Sequence, residues 1–215
     1  SSDSPTLSDI LEHDDDPDRL ARLVLGLNPH TAYWREEWYF RAENRYRRVS
    51  KEFVRAEIHR VCDEEFAAIS REEEEKDSVK RKVTTAIVSN VEAALKSRCV
   101  IRDDIEMGTW LEYDESGRVI GGESKDWIST QSGILKINEL LGGLDYLEPH
   151  SYRWFSNVCL PYPFDISASC PIWNRFLERN LESDEDRISL LQQWAGYLLT
   201  PSTDQQKFLI LEGEG

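Results

Sequence analysis

Two long stretches of helical periodicity constrain the fold of this chain more than any other feature. After Ser50, apolar side chains recur every three or four residues up to Ile69, and the pattern returns between Val79 and Leu95. This spacing places the apolar side chains on one face of an α-helix. We therefore expect Ser50 to cap a first long helix, and a second to follow the charged stretch 71–76. Packing of the two helices against each other would stabilise the first half of the chain.

A shorter helix is predicted ahead of this pair. Residues up to about 18 are rich in Ser and Asp, which is typical of a solvated linker. Asp16 and Pro17 suit the N-cap and the first turn of a helix, and Asn28 with Pro29 ends it. Residues 1–30 are thus predicted to form an acidic linker followed by a short helix.

Aromatic and arginine residues are concentrated between the short helix and the long ones. Polar breaks at 35–37 and 42–44 divide this segment into three short strands of a meander. Two interpretations are open: the rings stack on the bases of single-stranded DNA while arginines neutralise phosphates, or the rings pack in a small sheet. We favour packing. The candidate DNA-contacting residues are Trp34, Arg35, Trp38, Tyr39, Arg41, Arg45, Arg47 and Arg48.

The charge of the chain argues against nucleic-acid binding as its main task. It carries 26 Lys and Arg against 41 Asp and Glu, a net charge of −15, whereas a module that grips a phosphate backbone carries basic stripes. Residues 35–52 depart from this balance, with six basic and four acidic residues. No apolar run approaches the roughly 20 residues that a membrane crossing needs, so no membrane partner is expected.

No set of residues for catalysis or metal binding converges in the sequence. Asp14–Asp16 lies in the acidic linker and Asp103–Asp104 in a predicted loop, so neither is held in the way that a two-metal site requires. The cysteines and histidines are scattered along the chain, and no two cysteines form a Cys-x-x-Cys pair. This favours reduced thiols in a cytoplasmic protein over a zinc site. They are Cys62, Cys99, Cys159, Cys170, His13, His30, His59 and His150.

The second half of the chain differs in residue pattern from the first. Glycines cluster among short apolar runs between Gly108 and Leu160, which predicts short strands and turns. Cys170 and Pro171 then open a helix. Ser183 with Asp186 resembles a capping box for a final helix, which Pro201 ends.

The last residues read as the start of a phosphate-binding loop. An apolar run, Lys207–Leu211, predicts a buried strand, and Gly213, Glu214 and Gly215 follow it closely. A strand that enters Gly-x-Gly begins a P-loop, in which backbone N–H groups point at phosphate. The lysine that completes such a motif would lie beyond Gly215, so the loop is expected to be truncated. Alone, this signal is weak, because ordinary turns often share it.

Seven segments of the chain follow one another in a specific order and spacing. They are 132–137, 148–151, 160–165, 168–173, 176–177, 191–199 and 206–215. Together they resemble the region that precedes the superfamily 3 helicase domain in phage and plasmid primases and poxvirus-type primase-helicases. Tyr33–Tyr39 resembles the aromatic opening of that region more weakly. Ser132 stands where the family often has Asn, and turns accept either residue.

The resemblance implies that the chain is the accessory collar region of a replicative DNA primase-helicase. It would support a homo-hexameric motor and link it to an upstream primase, in the cytoplasm of a bacterial or infected host cell. Trp194, Tyr197 and Leu198 would pack against the downstream helicase domain, and Phe208–Leu211 would form its first strand. DNA, ATP and magnesium are expected for the full-length protein, whereas this fragment needs no cofactor and hydrolyses no ATP. The alternative is a stand-alone DNA- or protein-binding adaptor without a motor.

These observations together predict an α+β fold that is mainly α-helical, with small antiparallel β-meanders and no complete P-loop ATPase fold. The chain is predicted to divide into four regions where the residue pattern changes. They are an acidic linker with a short helix (1–30), an aromatic meander with two long helices (31–105), a pre-motor helical region (106–206), and the first motor strand with the truncated loop (207–215).

Overall fold

The computed structural model describes residues 13–72, 81–115, 117–124, 126–140, 146–199 and 206–212. Its helices are α1 (Pro17–Leu27), α2 (Lys51–Glu72), α3 (Thr85–Cys99), α4 (Ile137–Leu140), α5 (Pro171–Asn180) and α6 (Glu185–Tyr197). Its strands are β1 (Ala32–Trp34), β2 (Glu37–Ala42), β3 (Arg45–Val49), β4 (Thr109–Tyr113), β5 (Val119–Ser124), β6 (Trp127–Thr130), β7 (Gly133–Lys136), β8 (Leu147–Glu148) and β9 (Trp154–Phe155).

The strands form three antiparallel three-stranded sheets, in the orders β1-β2-β3, β5-β4-β9 and β6-β7-β8. The predicted α+β class with small antiparallel sheets is therefore confirmed. No P-loop fold is evident within the described ranges. None of the helices described is long and apolar enough to cross a bilayer.

Local capping explains where the helices begin. The Asp16 carboxylate accepts a hydrogen bond from the Arg19 N–H at 2.8 Å, and the Ser50 hydroxyl accepts one from the Phe53 N–H at 3.1 Å. Both were predicted caps, and each satisfies a backbone N–H that has no partner within its helix.

Two predicted helix starts are wrong. The second long helix begins at Thr85 rather than near Val79, because the Thr84 hydroxyl accepts from the Ile87 N–H and residues 81–84 are not helical. Val79 itself lies outside the described residues. The final helix is capped by Asp184, not Ser183, because the backbone of Ser183 is left-handed, with φ of 58°. This helix ends at Tyr197, and Pro201 lies outside the described residues.

The chain divides into two compact units at places the predicted divisions did not anticipate. The first unit comprises the residues up to Ser124 together with Ser151–Val158, and the second comprises Lys125–His150 together with Cys159 onward. Residues 151–158 return to the first unit because β9 pairs with β4. Residues 106–124 likewise belong with the first half of the chain, and their strands β4 and β5 agree with the short strands predicted after Gly108.

The β1-β2-β3 meander of the first unit is buried on both faces. Successive side chains of a strand point to opposite sides, so neighbouring residues of β2 enter different environments. Trp38 packs in a cluster with α1, α2 and α3, whereas Tyr39 packs in a second cluster with β4 and β9. The expected packing of the two long helices is confirmed within the first of these clusters.

Phe155 lies at the centre of the second cluster. Its ring makes edge-on contacts with Trp34, Tyr39 and Tyr46 at centroid distances of 5.6, 6.2 and 5.1 Å. This is a favourable arrangement for aromatic rings. The indole N–H of Trp34 donates to the Ile105 carbonyl at 2.8 Å, so burial of this ring leaves no donor unsatisfied.

The second unit contains the β6-β7-β8 sheet, α4, α5 and α6. Backbone hydrogen bonds from Leu160 to Ser129 and from Gln131 to Tyr162 extend the edge of the sheet at β6. Few side chains are buried after this point: Leu177 is the buried residue of α5, and α6 buries none.

The predicted buried strand at Lys207–Leu211 is wrong. The described residues 206–212 have no regular secondary structure, and the Phe208 side chain is 80% exposed. A strand requires a neighbour for its backbone N–H and C=O groups, and this segment pairs with no described strand.

A buried carboxylate links α2 to α3. Glu92 of α3 is only 5% exposed, and it accepts a hydrogen bond from Arg55 of α2 at 2.7 Å. Lys51 and Lys96 lie 3.7 and 3.4 Å from its other oxygen. Because a buried charge is costly without partners, these cations hold the two helices in one register.

Replacement of Glu92 by Ala is expected to destabilise the first unit by about 1–3 kcal/mol, since it leaves the Arg55 guanidinium half-buried without its partner. Urea unfolding followed by far-UV circular dichroism measures this change. The matched control is Glu64→Ala, which removes an exposed carboxylate bound to Arg60 and should cost under about 0.5 kcal/mol. Equal effects of the two substitutions would contradict the role assigned to Glu92.

Candidate functional site

The aromatic members of the predicted DNA-contacting set are buried in the two clusters of the first unit. Trp34, Trp38 and Tyr39 are each less than a tenth exposed. Their rings are covered on both faces of the meander and are not available to stack on bases. The favoured packing interpretation is confirmed for these three residues.

The arginines of the same set lie at the surface, and most are paired. Arg35 contacts the Asp103 carbonyl and the Glu106 carboxylate, and its guanidinium lies 4.3 Å from the centre of the Trp34 ring. Arg41 donates to the Trp154 carbonyl at 3.3 Å.

The other three arginines lie on β3. Arg47 binds Glu43 at 2.7 Å, and Arg48 forms a two-pronged contact with Glu37 at 2.6 and 2.8 Å. Arg45 has no side-chain partner among the described residues. The carboxylates offset most of the local positive charge, so the meander presents a mixed surface rather than a basic stripe. DNA contact by these arginines remains a prediction.

The acidic residues considered as metal ligands, Asp14–Asp16 and Asp103–Asp104, do not come together at one site. Asp14 binds Arg81, Asp16 caps α1, and Asp104 binds Arg102 at 3.0 Å. No group of three or more potential metal ligands occurs within the described ranges. These carboxylates are therefore structural contacts in the first unit.

Burial lowers the reactivity of two of the four cysteines. All four are free thiols, and burial raises the pKa of Cys62 to about 11 and that of Cys99 to about 12. Both thiols therefore stay protonated near neutral pH, and a protonated thiol is a weak nucleophile.

One cavity of about 290 Å³ lies within the first unit, between the end of α1, the end of α3 and the β4–β5 turn. Burial raises the pKa of Tyr46 and of Tyr113, and burial together with the nearby Arg41 lowers the pKa of His30. These shifts favour the neutral form of each group. Arg98, which is bound to Asp18, also lines the cavity.

The second unit carries an extensive exposed apolar surface. On α5, Ile172 is 85% exposed, and the rings of Trp173 and Phe176 stack at 5.6 Å with an angle of 16° between their planes. On α6, the stripe Ile188, Leu191, Trp194 and Tyr197 is only half-buried. Exposed apolar patches of this kind occur at surfaces that bind proteins, ligands or membranes.

Sequence reasoning placed Trp194, Tyr197 and Leu198 on this surface but missed its charged edge. Arg175 and Arg179 of α5 lie one turn apart beside Phe176, and they line a surface groove with Ile172 and Asn180. The signal was present in the sequence as two arginines four residues apart on an amphipathic helix. The predicted loop residues Gly213, Glu214 and Gly215 lie outside the described residues, so the phosphate loop stays a prediction.

One known protein family matches most of this chain. A family described as "D5 N terminal like" matches residues 28–182, which is more than half of the chain. The chain belongs to the D5 N terminal like family. This family is the N-terminal region of D5-type primase-helicase proteins, which places the chain in the context of DNA replication. A search of curated proteins found no match.

The matched range contains the whole aromatic meander, the two long helices and α5. It ends at residue 182, before α6 and the exposed segment 206–212. The family match thus covers the first unit from the end of α1 onward and the sheet of the second unit, whereas the apolar stripe of α6 lies beyond it.

Truncation of a meander ring tests whether the ring serves packing. Trp38→Ala should lower the free energy of unfolding by about 3–5 kcal/mol, because it empties the space of a residue that is 2% exposed. The matched control is Leu27→Ala at an exposed position of α1, which should cost under about 0.5 kcal/mol. If Trp38→Ala instead left stability unchanged while weakening single-stranded DNA binding, the ring would have a binding role.

Thiol reactivity tests the assignment of the cysteines. At pH 8, Cys62 and Cys99 should react with a maleimide at least about a hundredfold more slowly than the exposed Cys170, because their raised pKa values keep them protonated and burial blocks access. Mass spectrometry of timed samples identifies the modified residue. Cys170→Ser should remove the fast reaction, and urea should make all thiols reactive. Rapid modification of Cys62 in the folded chain would contradict this assignment.

Proposed function

We propose that this chain is the accessory collar region of a replicative DNA primase-helicase. It supports assembly of the ATP-driven helicase motor and links that motor to an upstream primase domain. Membership of the D5 N terminal like family supports this proposal, because that family is the N-terminal region of primase-helicase proteins. The phage, plasmid or poxvirus character of the parent protein belongs to the same proposal.

The observation that carries the proposal is the uncovered apolar surface that follows the family region. A helix of 13 residues is marginal in water unless it buries one face, yet α6 buries no side chain. Its stripe of Ile188, Leu191 and Trp194 continues to Leu198, and the segment 206–212 exposes Phe208, Ile210 and Leu211. A protein partner that covers these residues stabilises the helix, and the downstream helicase domain is the partner that we propose.

In this proposal the chemistry is carried out outside the chain. The described residues contain no converging nucleophile, base and acid, so we assign ATP and magnesium binding to the helicase domain. The full-length protein would act on DNA as a homo-hexamer in the cytoplasm of a bacterial or infected host cell. The role of the present chain is then mechanical: it positions the motor relative to the primase.

The alternative is a stand-alone adaptor that binds DNA or another protein and has no motor. The exposed apolar surface suits any protein partner. Arg45, which has no side-chain partner among the described residues, could make a weak DNA contact. The parent gene distinguishes the two functions. A lysine followed by Ser or Thr four to five residues after Gly215 indicates the motor, whereas an unrelated sequence indicates the adaptor.

The proposal predicts that a charge on the apolar surface uncouples the motor. In the full-length protein, Leu198→Asp should lower DNA-stimulated ATPase activity at least about tenfold, because a buried carboxylate opposes docking of the motor. The matched control is Leu27→Asp, at a position of similar exposure in the first unit (58% against 64%), which should keep the activity.

Two further measurements keep the result interpretable. The isolated chain with Leu198→Asp should unfold at the same urea concentration as the unmodified chain, which excludes misfolding, and Leu198→Met should restore activity. Full ATPase activity and full assembly of the Leu198→Asp protein would overturn the proposed role of this surface.

A further inference from the structure

The solvent face of α5 combines positive charge with exposed apolar groups. Arg175 and Arg179 lie one helical turn apart, and neither makes a side-chain hydrogen bond or an ion pair with any described residue. Ile172 and Phe176 lie on the same face and are exposed. Together these side chains line a groove of about 400 Å³ on the helix surface.

This lack of partners contrasts with most arginines of the chain. Within the described residues, carboxylates bind the side chains of many arginines, as the net charge of −15 would favour. Examples are Arg19, Arg35, Arg47, Arg48, Arg55, Arg60, Arg81, Arg98, Arg102 and Arg187. Arg175 and Arg179 lie one turn apart without a carboxylate among the described residues, so the α5 face is suited to bind carboxylates of a partner.

The solvent face of α6 carries the complementary chemistry. Asp184 caps the helix and binds Arg187 at 3.2 Å, but Glu185 and Asp186 have no side-chain partner among the described residues. Leu190 lies one turn after Asp186 and is exposed. Because Leu190 lies one turn before Trp194, this face borders the apolar stripe of Ile188, Leu191 and Trp194, which the proposed function assigns to the helicase domain.

We infer that the basic face of α5 docks on the acidic face of α6 in a second copy of this chain. Arg175 and Arg179 would bind Glu185 and Asp186 of the neighbouring copy, while Ile172 and Phe176 would cover its Leu190. Arginine forms two-pronged contacts with carboxylates, which fixes the orientation of such a pair. This inference rests on the proposed function, because the α5 and α6 faces would be the surfaces through which copies of the collar assemble.

The two faces are different surfaces of one molecule, so the contact is head-to-tail. Each copy then presents one basic face and one acidic face, and repetition of the contact leads to a ring when the rotation closes. Within a single copy both faces are exposed, so neither already covers the other.

Single-stranded DNA is the less suitable occupant of the α5 face. Arginines beside aromatic rings do bind such strands. However, α5 is followed at once by Glu182, Glu185 and Asp186, whose negative charges repel a phosphate backbone. A protein partner fits this mixed surface better. Its carboxylates can bind the two arginines, and an apolar side chain beside them can cover the apolar groups of α5.

Charge exchange tests the inference on the 215-residue chain by sedimentation velocity over a range of concentrations. Arg175→Glu combined with Arg179→Glu should raise the dissociation constant of self-association at least about tenfold, because like charges then face each other. Glu185→Arg combined with Asp186→Arg should have the same effect. The variant that carries all four substitutions should return to within about threefold of the unmodified chain, since the pairs are restored with their signs reversed.

The matched control is Arg47→Glu combined with Arg48→Glu, which makes the same charge change on β3 and should leave self-association unaltered. Far-UV circular dichroism of every variant checks that α5 and α6 remain helical. The inference is overturned if the unmodified chain stays monomeric, if the fourfold variant fails to recover, or if the α5 variant loses only binding of labelled single-stranded DNA.

The outcome is separable from that of the proposed function. If the full-length protein with Arg175→Glu and Arg179→Glu still assembles and hydrolyses ATP at the normal rate, this interface is wrong and the collar role stands. If the charge exchange behaves as expected in a chain whose parent gene encodes no motor, the interface stands and the collar role fails.

Discussion

The burial of β2 on both faces is the constraint on which the first unit depends. Trp38 packs with the three helices α1, α2 and α3, while its neighbour Tyr39 packs around Phe155. The strand thus joins two clusters that are distant in sequence, and β9 returns to this unit because Phe155 completes the second cluster. Large rings at successive positions suit such a strand, since each ring buries a large apolar area on its own side.

This use of aromatic residues determines where function can lie. Rings that fill the interior of the first unit are not available for ligands, and the arginines beside them are mostly engaged with carboxylates. The second unit shows the opposite organisation. There, apolar groups of α5 and α6 lie exposed, and Arg175 and Arg179 lack partners among the described residues. Most apolar side chains of the first unit are therefore buried within it, whereas α5 and α6 of the second unit leave theirs exposed.

Much of the fold could be predicted from local patterns. The capping residues Asp16 and Ser50, the three strands of the meander and the helix after Cys170 depend on neighbouring residues, which the sequence displays directly. The start of α3 and the cap of α6 were misplaced by local criteria alone. Thr84 caps α3, so the helix begins there and not earlier in the chain. The left-handed backbone of Ser183 moves the N-cap of α6 to Asp184.

The sequence by itself determined the fold class, the helices of the first unit and the family to which the chain belongs, because periodicity and the order of motifs survive without three-dimensional context. Only the tertiary structure decided which rings are buried, which arginines are paired and where the units divide. Those properties depend on residues far apart in the chain, such as Trp34 with Ile105 and β4 with β9. It also decided that Lys207–Leu211 is exposed, since an apolar run becomes a buried strand only where another strand satisfies its backbone.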